Sequence, residues 1–147
     1  MKDVSTIRLE WKRRPGGGGR TQRDFLDFIV DDKSLSEMVG DQISCLGWFV
    51  ADENVRAVRK LLLEEPAELP DNRRALYVCP ECGDLGCGAV SLVVEVVGNK
   101  IIWRDFGYEN DYEGVVHREG FEALGPFAFN RTDYENVIKE ALHPYTI

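Results

Sequence analysis

The chain has 147 residues, of which 44% are apolar and 30% are charged, and 26 acidic against 18 basic side chains give it a net charge of −8. We expect a single domain, residues 1–147, because roughly 70% of the unfolded surface of a chain this long is buried on folding without metals or disulfides. The acidic balance disfavours a nucleic-acid ligand, since phosphates would meet a repulsive field. It favours a basic partner instead.

The sequence predicts a cytoplasmic protein with no membrane association. Its N-terminal stretch is charged throughout and lacks the apolar run of a signal peptide. The most apolar segment, residues 89–97, is far shorter than the roughly 20 residues that a membrane span requires. Because cytoplasmic thiols stay reduced, the four cysteines are expected to be thiols or metal ligands before they are disulfides.

The N-terminal part of the chain reads as a hairpin. Apolar residues alternate with polar ones at 4–11 and again in a stretch that ends at Val30, which predicts two strands within residues 4–30. Pro15 and the four glycines Gly16–Gly19 separate the strands. We expect this tip to be flexible and unordered.

Two helices are predicted next. Ser34–Glu37 has the spacing of a capping box and opens a short helix to about Val39. Apolar residues then recur at helical spacing over 53–65, behind Asp52 as a candidate cap, and Pro66 ends the run.

The C-terminal half reads mainly as strands. Residues 75–78, 89–97 and 101–106 alternate in the manner of an antiparallel meander, and Phe127 and Phe129 mark a further short strand. A second capping box, Thr132–Glu135, opens a final helix that His143 and Pro144 stop. The sequence therefore predicts an α+β fold: an antiparallel sheet, formed by the N-terminal hairpin and the central meander, with two or three packed helices.

A segment that we name the cysteine loop, Cys79–Gly88, carries three cysteines between two predicted strands. Its Cys-Pro-x-Cys-Gly spacing is typical of a zinc knuckle, in which two thiolates reach one metal. Because a structural Zn²⁺ takes four ligands, a complete site requires Cys79, Cys82 and Cys87 together with Cys45 or His117. Two alternatives stay open: an ordered loop without metal, and a reversible dithiol.

The cysteine loop and the segments that follow resemble a family of small, functionally uncharacterised bacterial proteins that is common in actinobacteria. Its members carry a Cys-x-x-Cys-Gly-x-x-Gly-Cys-Gly pattern before a valine-rich strand and a following Trp. The similar parts here are the cysteine loop, the strand to Val97, Trp103, Phe106–Tyr108 and Gly125–Phe129, so the resemblance covers residues 75–142. Members are often labelled oxidoreductases by automated transfer, although this sequence has no cofactor motif.

No set of residues in the sequence matches a known catalytic arrangement. Nucleophilic catalysis needs a base near its nucleophile, and the chain has only two histidines, His117 and His143. The glycines Gly16–Gly19 lack the spacing of a phosphate-binding loop. We therefore identify no catalytic residues and no small-molecule substrate from the sequence.

The charges are unevenly distributed along the chain. Residues 1–23 contain seven bases and two acids, a balance of +5, so the remainder carries −13. The densest acidic stretch, which we name the acidic segment, is Arg104–Glu113 with four carboxylates and two tyrosines. It follows a predicted strand, where we expect a surface loop. Nucleic-acid contact through the basic residues 12–23 is a minor alternative.

These patterns favour a non-enzymatic protein-binding protein. Carboxylates draw in a basic partner, and tyrosines supply contact area at low entropic cost. We predict an immunity-type inhibitor of a basic toxin such as a nuclease, with the partner-binding residues Asp105, Tyr108, Glu109, Asp111, Tyr112 and Glu113. The alternatives are a structural zinc-knuckle domain and a cysteine-dependent redox protein.

Overall fold

The structure, a computed structural model, describes residues 4–47 and 50–143. Over these ranges the chain forms two antiparallel sheets and three α-helices, which confirms the predicted α+β class. None of the helices in the described ranges is long and apolar enough to cross a bilayer.

The predicted N-terminal hairpin is confirmed, but it forms a small sheet of its own. Strands β1 (Ile7–Arg14) and β2 (Arg23–Val30) pair in antiparallel fashion, and β3 (Lys33–Ser34) adds to the far edge of β2. The tip is a defined turn rather than an unordered one, because the backbones of Gly17 and Arg20 exchange hydrogen bonds of 2.9 and 3.1 Å.

The second sheet is a meander whose strands lie in sequence order. It contains β4 (Ile43–Ser44), β5 (Arg73–Val78), β6 (Ala89–Val97), β7 (Lys100–Glu109) and β8 (Phe127–Asn130). Each strand pairs with the next one in antiparallel fashion. The bounds of β6 coincide with the predicted 89–97 because apolar alternation there is uninterrupted.

Strand β7 continues past the end predicted for it at Phe106. A bulge at Asp105, where φ is +56°, redirects the strand, and pairing with β6 then resumes as far as Glu109. Beyond the bulge, the backbones of Tyr108 and His117 exchange two hydrogen bonds of 2.8 Å. The prediction that the acidic segment is a surface loop is therefore wrong for its first six residues, whose backbone is satisfied within the sheet.

Helices α1 (Ser36–Val39) and α2 (Ala51–Leu61) follow the predicted order. Helix α1 ends at Val39, as predicted. Helix α2 ends four residues before the predicted 65, because Leu63 takes a left-handed φ of +63°. The Arg74 guanidinium donates to carbonyls at this end of the helix, and such donors satisfy the last turn.

Helix α3 (Arg131–Lys139) begins directly after β8. Its cap is Asn130, whose side-chain oxygen accepts from the Asp133 amide at 3.0 Å, so the predicted capping box at Thr132 is wrong. Asparagine at this position satisfies an amide that the helix leaves unpaired. Pro144, predicted to stop this region, lies outside the described residues.

Trp103 of β7 joins the two sheets and the helices in one core. Its indole ring packs edge-on against Phe28, Phe129 and Tyr134, with ring centroids 5.1 to 5.9 Å apart. The indole N–H donates to the Tyr134 hydroxyl, which in turn donates to the Leu61 carbonyl at the end of α2. One buried ring thus connects β2, β7, β8, α2 and α3, as aromatic side chains do in cores.

Candidate metal centre

The cysteine loop is a compact turn between β5 and β6. The Gly83 amide donates to the Cys79 carbonyl at 2.8 Å, and the Cys87 amide donates to the Asp84 carbonyl at 3.0 Å. The Asp84 carboxylate accepts from the Gly86 amide and so caps one turn of 3-10 helix. These local bonds return the chain on itself within a few residues.

This folding brings three sulfur atoms together. The Sγ atoms of Cys79, Cys82 and Cys87 all lie within 4.8 Å of one another, and those of Cys82 and Cys87 are 3.1 Å apart. In a tetrahedral zinc site, sulfur ligands are about 3.8 Å apart, because each Zn–S bond is about 2.3 Å. Side-chain shifts on the order of 1 Å therefore convert this cluster into three corners of a metal tetrahedron.

The three thiols influence one another's protonation. Burial opposes the Cys79 thiolate, but hydrogen bonds from the backbone at Glu81 and Cys82, and from the other two thiols, lower its pKa. The hydrogen bond to Cys82 and the charge there raise the pKa of Cys87 to about 11. A thiol beside a thiolate resists deprotonation unless a cation compensates the second negative charge.

Neither predicted fourth ligand belongs to this sulfur cluster. Cys45 is buried and lines the same cavity of about 370 Å³ as Cys82 does, but its sulfur is not among the clustered atoms. Burial also raises the pKa of Cys45 to about 12, which keeps it a thiol. His117 is exposed and lies opposite Tyr108, and its ring is likewise outside the cluster.

The cysteine loop is held by basic residues of the first sheet. Arg14 donates to the Glu81 carboxylate at 2.5 Å, and both the hydroxyl and the amide of Thr21 donate to it as well. Arg23 donates to the carbonyls of Pro80 and Glu81 at 2.8 and 3.1 Å. The bonds from Thr21, followed by the one from Arg14, lower the pKa of Glu81 to about 2, so this carboxylate is charged at neutral pH.

Sequence reasoning missed these contacts. A signal was present: Glu81 lies between two cysteines, and the basic residues are concentrated near the hairpin tip. The sequence could not pair Glu81 with these basic residues, because the pairing depends on the tip of the first sheet lying against the end of β5.

Tyr108, a predicted partner-binding residue, packs on the cysteine loop. Its hydroxyl donates to the Cys87 carbonyl at 3.1 Å. The ring lies so close to Gly88 that a Cβ there would be 2.0 Å from the hydroxyl oxygen, and Gly88 also has a φ of +97°. Only glycine fits this position. The part of the acidic segment that lies in β7 is thereby attached to the cysteine loop.

Two predicted partner-binding carboxylates are paired with arginines within the fold, and one of them is buried. Glu109 is 4% exposed and accepts from Arg73 at 2.8 Å and from the Ser91 hydroxyl at 2.5 Å. Asp105 accepts from Arg73 at 2.9 Å and from Arg118 at 2.6 Å, and these bonds, with Arg118 the larger cause, lower its pKa. Both carboxylates neutralise an internal guanidinium.

The remaining three predicted residues, Asp111, Tyr112 and Glu113, are exposed. Tyr112 keeps 73% of its surface accessible. The Asn110 side chain organises this turn, since it accepts from the amides of Tyr112 and Glu113 and donates to the Glu113 carboxylate.

Comparisons of the chain with protein-family models, curated proteins and solved structures found no match. The resemblance of residues 75–142 to a bacterial family stays an expectation.

Proposed function

We propose that the protein binds one Zn²⁺ ion through the thiolates of Cys79, Cys82 and Cys87. The observation that carries the proposal is the grouping of these three Sγ atoms within 4.8 Å of one another. Zinc is the metal that suits them best, since it favours thiolates and tetrahedral geometry and needs no redox chemistry.

The surroundings of the cluster support this assignment. Cys82 and Cys87 are exposed and Cys79 is half-buried, so an ion reaches the sulfurs from solvent. The Asp84 carboxylate lies in the same loop without a Lys or Arg partner among the described residues. A divalent cation relieves the mutual repulsion of these groups.

The role that we propose for the ion is structural. It would fasten the end of β5 to the start of β6 at the point where Arg14 and Arg23 attach the first sheet. A ligand present at 100 times its Kd stabilises a fold by about 2.7 kcal/mol. For a chain of this length, that corresponds to a rise in Tm of about 5 to 10 °C.

The test is metal content combined with thermal unfolding. We expect purified protein to carry one zinc per chain by elemental analysis and native mass, and a chelator to lower its Tm by about 5 to 10 °C. Cys82→Ser should lose the metal, whereas the matched variant Cys45→Ala, which removes a thiol outside the cluster, should keep it. Equal retention of zinc by both variants would contradict the proposal.

Redox chemistry is the second candidate at this cluster, and the 3.1 Å separation of the Cys82 and Cys87 sulfurs favours it specifically. A hydroperoxide oxidises one thiolate to a sulfenic acid. The second thiol then condenses with this sulfenic acid to form a disulfide, and water is released. Protein that lacks zinc, is lighter by two hydrogen atoms and regains them with a reductant would support a dithiol in place of a metal.

Protein binding by the exposed turn is an independent candidate. Tyr112 is 73% accessible and stands between two exposed carboxylates, Asp111 and Glu113. Tyrosine is enriched at protein interfaces, and carboxylates around it would steer a basic partner. The partner that we propose is still a basic toxin, which this protein would inhibit in the manner of an immunity protein. Of the six predicted residues, only Asp111, Tyr112 and Glu113 now form the proposed contact surface.

A further inference from the structure

The proposed zinc site needs a fourth ligand, because three protein thiolates leave one corner of the tetrahedron open. Two carboxylates lie beside Gly86 of the cysteine loop, one from the loop itself and one from the acidic segment. A Cβ built on Gly86 would lie 3.4 Å from Asp84 Oδ1 and 3.8 Å from Asp111 Oδ1. Gly86 immediately precedes Cys87, so both carboxylates lie beside the loop that carries the three sulfurs, although neither belongs to the group within 4.8 Å.

Only one of these carboxylates has free acceptor capacity at both oxygens. The Oδ1 atom of Asp84 already accepts from the Gly86 amide at 2.9 Å, and this bond caps the turn that places Cys87. Asp111, in contrast, is exposed and has no hydrogen bond or ion pair with any other residue that the structure describes. Rotation of its side chain therefore breaks no bond.

The backbone on both sides of Asp111 is anchored. Before it, the Tyr108 hydroxyl donates to the Cys87 carbonyl at 3.1 Å. After it, the amides of Tyr112 and Glu113 donate to the Asn110 side chain at 3.2 and 2.8 Å. The turn thus holds Asp111 against the cysteine loop while leaving its carboxylate free to reorient.

We propose that Asp111 is the fourth protein ligand of the zinc ion, which completes a three-cysteine, one-aspartate site. The inference rests on the proposed zinc function. Asp111 lies outside the group of three sulfurs, as Cys45 and His117 do, but its carboxylate lies beside the residue that precedes Cys87, so we place it ahead of them in the predicted ligand set. A carboxylate oxygen is an accepted zinc ligand, and a ligand from this turn closes the site against solvent. It also fastens the acidic segment to the cysteine loop.

The test compares Zn²⁺ affinity and Co²⁺ absorption spectra of full-length variants. We expect Asp111→Asn to weaken zinc binding about tenfold or more and to change the visible bands of bound Co²⁺. Glu122→Gln, which removes the same charge from an exposed residue outside this turn, should leave both unchanged. Asp111→His should restore the affinity, because imidazole ligates zinc without carrying the negative charge.

Four results would overturn the inference. Asp111→Asn could bind zinc as tightly as Glu122→Gln does. Asp111→His could bind it as weakly as Asp111→Asn does, which would leave Asp111 only an electrostatic role. Loss of affinity in His117→Ala with none in Asp111→Asn would assign the fourth position to the histidine. Absence of zinc from the wild-type protein, measured separately, would contradict the proposed zinc function and with it the role of Asp111 as a ligand.

Discussion

Arg73 shows how individual carboxylates of the acidic segment are used. Its side chain is 1% exposed, and Glu109, Asp105 and Ser91 surround its guanidinium. A buried guanidinium is tolerated only when it is paired and fully hydrogen-bonded. Glu109 and Asp105 therefore stabilise the second sheet from within and are poorly placed to meet a partner.

We predict that Glu109→Gln lowers the free energy of unfolding by about 3 kcal/mol, since it leaves Arg73 without its most buried counter-charge. The measurement is urea unfolding followed by tryptophan fluorescence. Glu113→Gln removes a carboxylate that is exposed, so its effect should stay within about 0.5 kcal/mol. Similar small effects for both variants would mean that Glu109 is not a structural partner of Arg73.

At the scale of elements, the hairpin tip of the first sheet acts on a loop of the second. Arg14 is 8% exposed and contacts Glu81 in the middle of the cysteine loop, as well as Asp41. Groups that orient a metal-binding loop are as much part of a site as the ligands are. The turn at Gly17–Arg20 returns the chain so that Thr21 and Arg23 join this contact.

We predict that Arg14→Gln weakens zinc affinity about tenfold, because the cysteine loop loses the contact that orients it. The matched control is Arg13→Gln, whose guanidinium pairs with Asp24 at the surface of the same hairpin and does not contact the loop. Competition against a zinc-binding dye measures both affinities. An unchanged affinity in Arg14→Gln would show that the cysteine loop orients itself.

At the scale of the whole molecule, the negative charge is partly internal. Several acids pair with basic residues across elements, as Asp105 does with Arg73 and Glu81 with Arg14. The carboxylates that remain at the surface still exceed the bases, and the net charge is −8. A field of this sign speeds the approach of a basic protein and is screened by salt.

We predict that a basic protein co-purifies with the chain from its own host at low salt and dissociates as the salt concentration rises. The double variant Tyr112→Ser, Glu113→Gln should reduce the retained amount about tenfold or more, since exposed tyrosines carry a large share of interface energy. Native mass spectrometry checks the complex. Glu37→Gln, at another exposed carboxylate, is the control. Equal retention by all three proteins would exclude the turn as the interface.

Local patterns in the sequence determined most elements and the grouping of three cysteines. Alternation predicted β1, β2 and β6 because one face of each strand must be buried, and the spacing of Cys79, Cys82 and Cys87 suffices to group three sulfurs within one loop. The helix starts were less well predicted. Asn130 caps α3 because the preceding strand ends there. The capping-box pattern at Thr132 predicted a later start.

The tertiary structure alone decided where the charged residues point. Glu109 meets Arg73, and Arg14 meets Glu81, across separations of 36 and 67 residues. The bulge at Asp105 sets which of the following side chains face inward. The periodicity of the sequence does not predict this bulge. Burial and long-range pairing depend on how sheets pack together, whereas sequence patterns report only on neighbours along the chain.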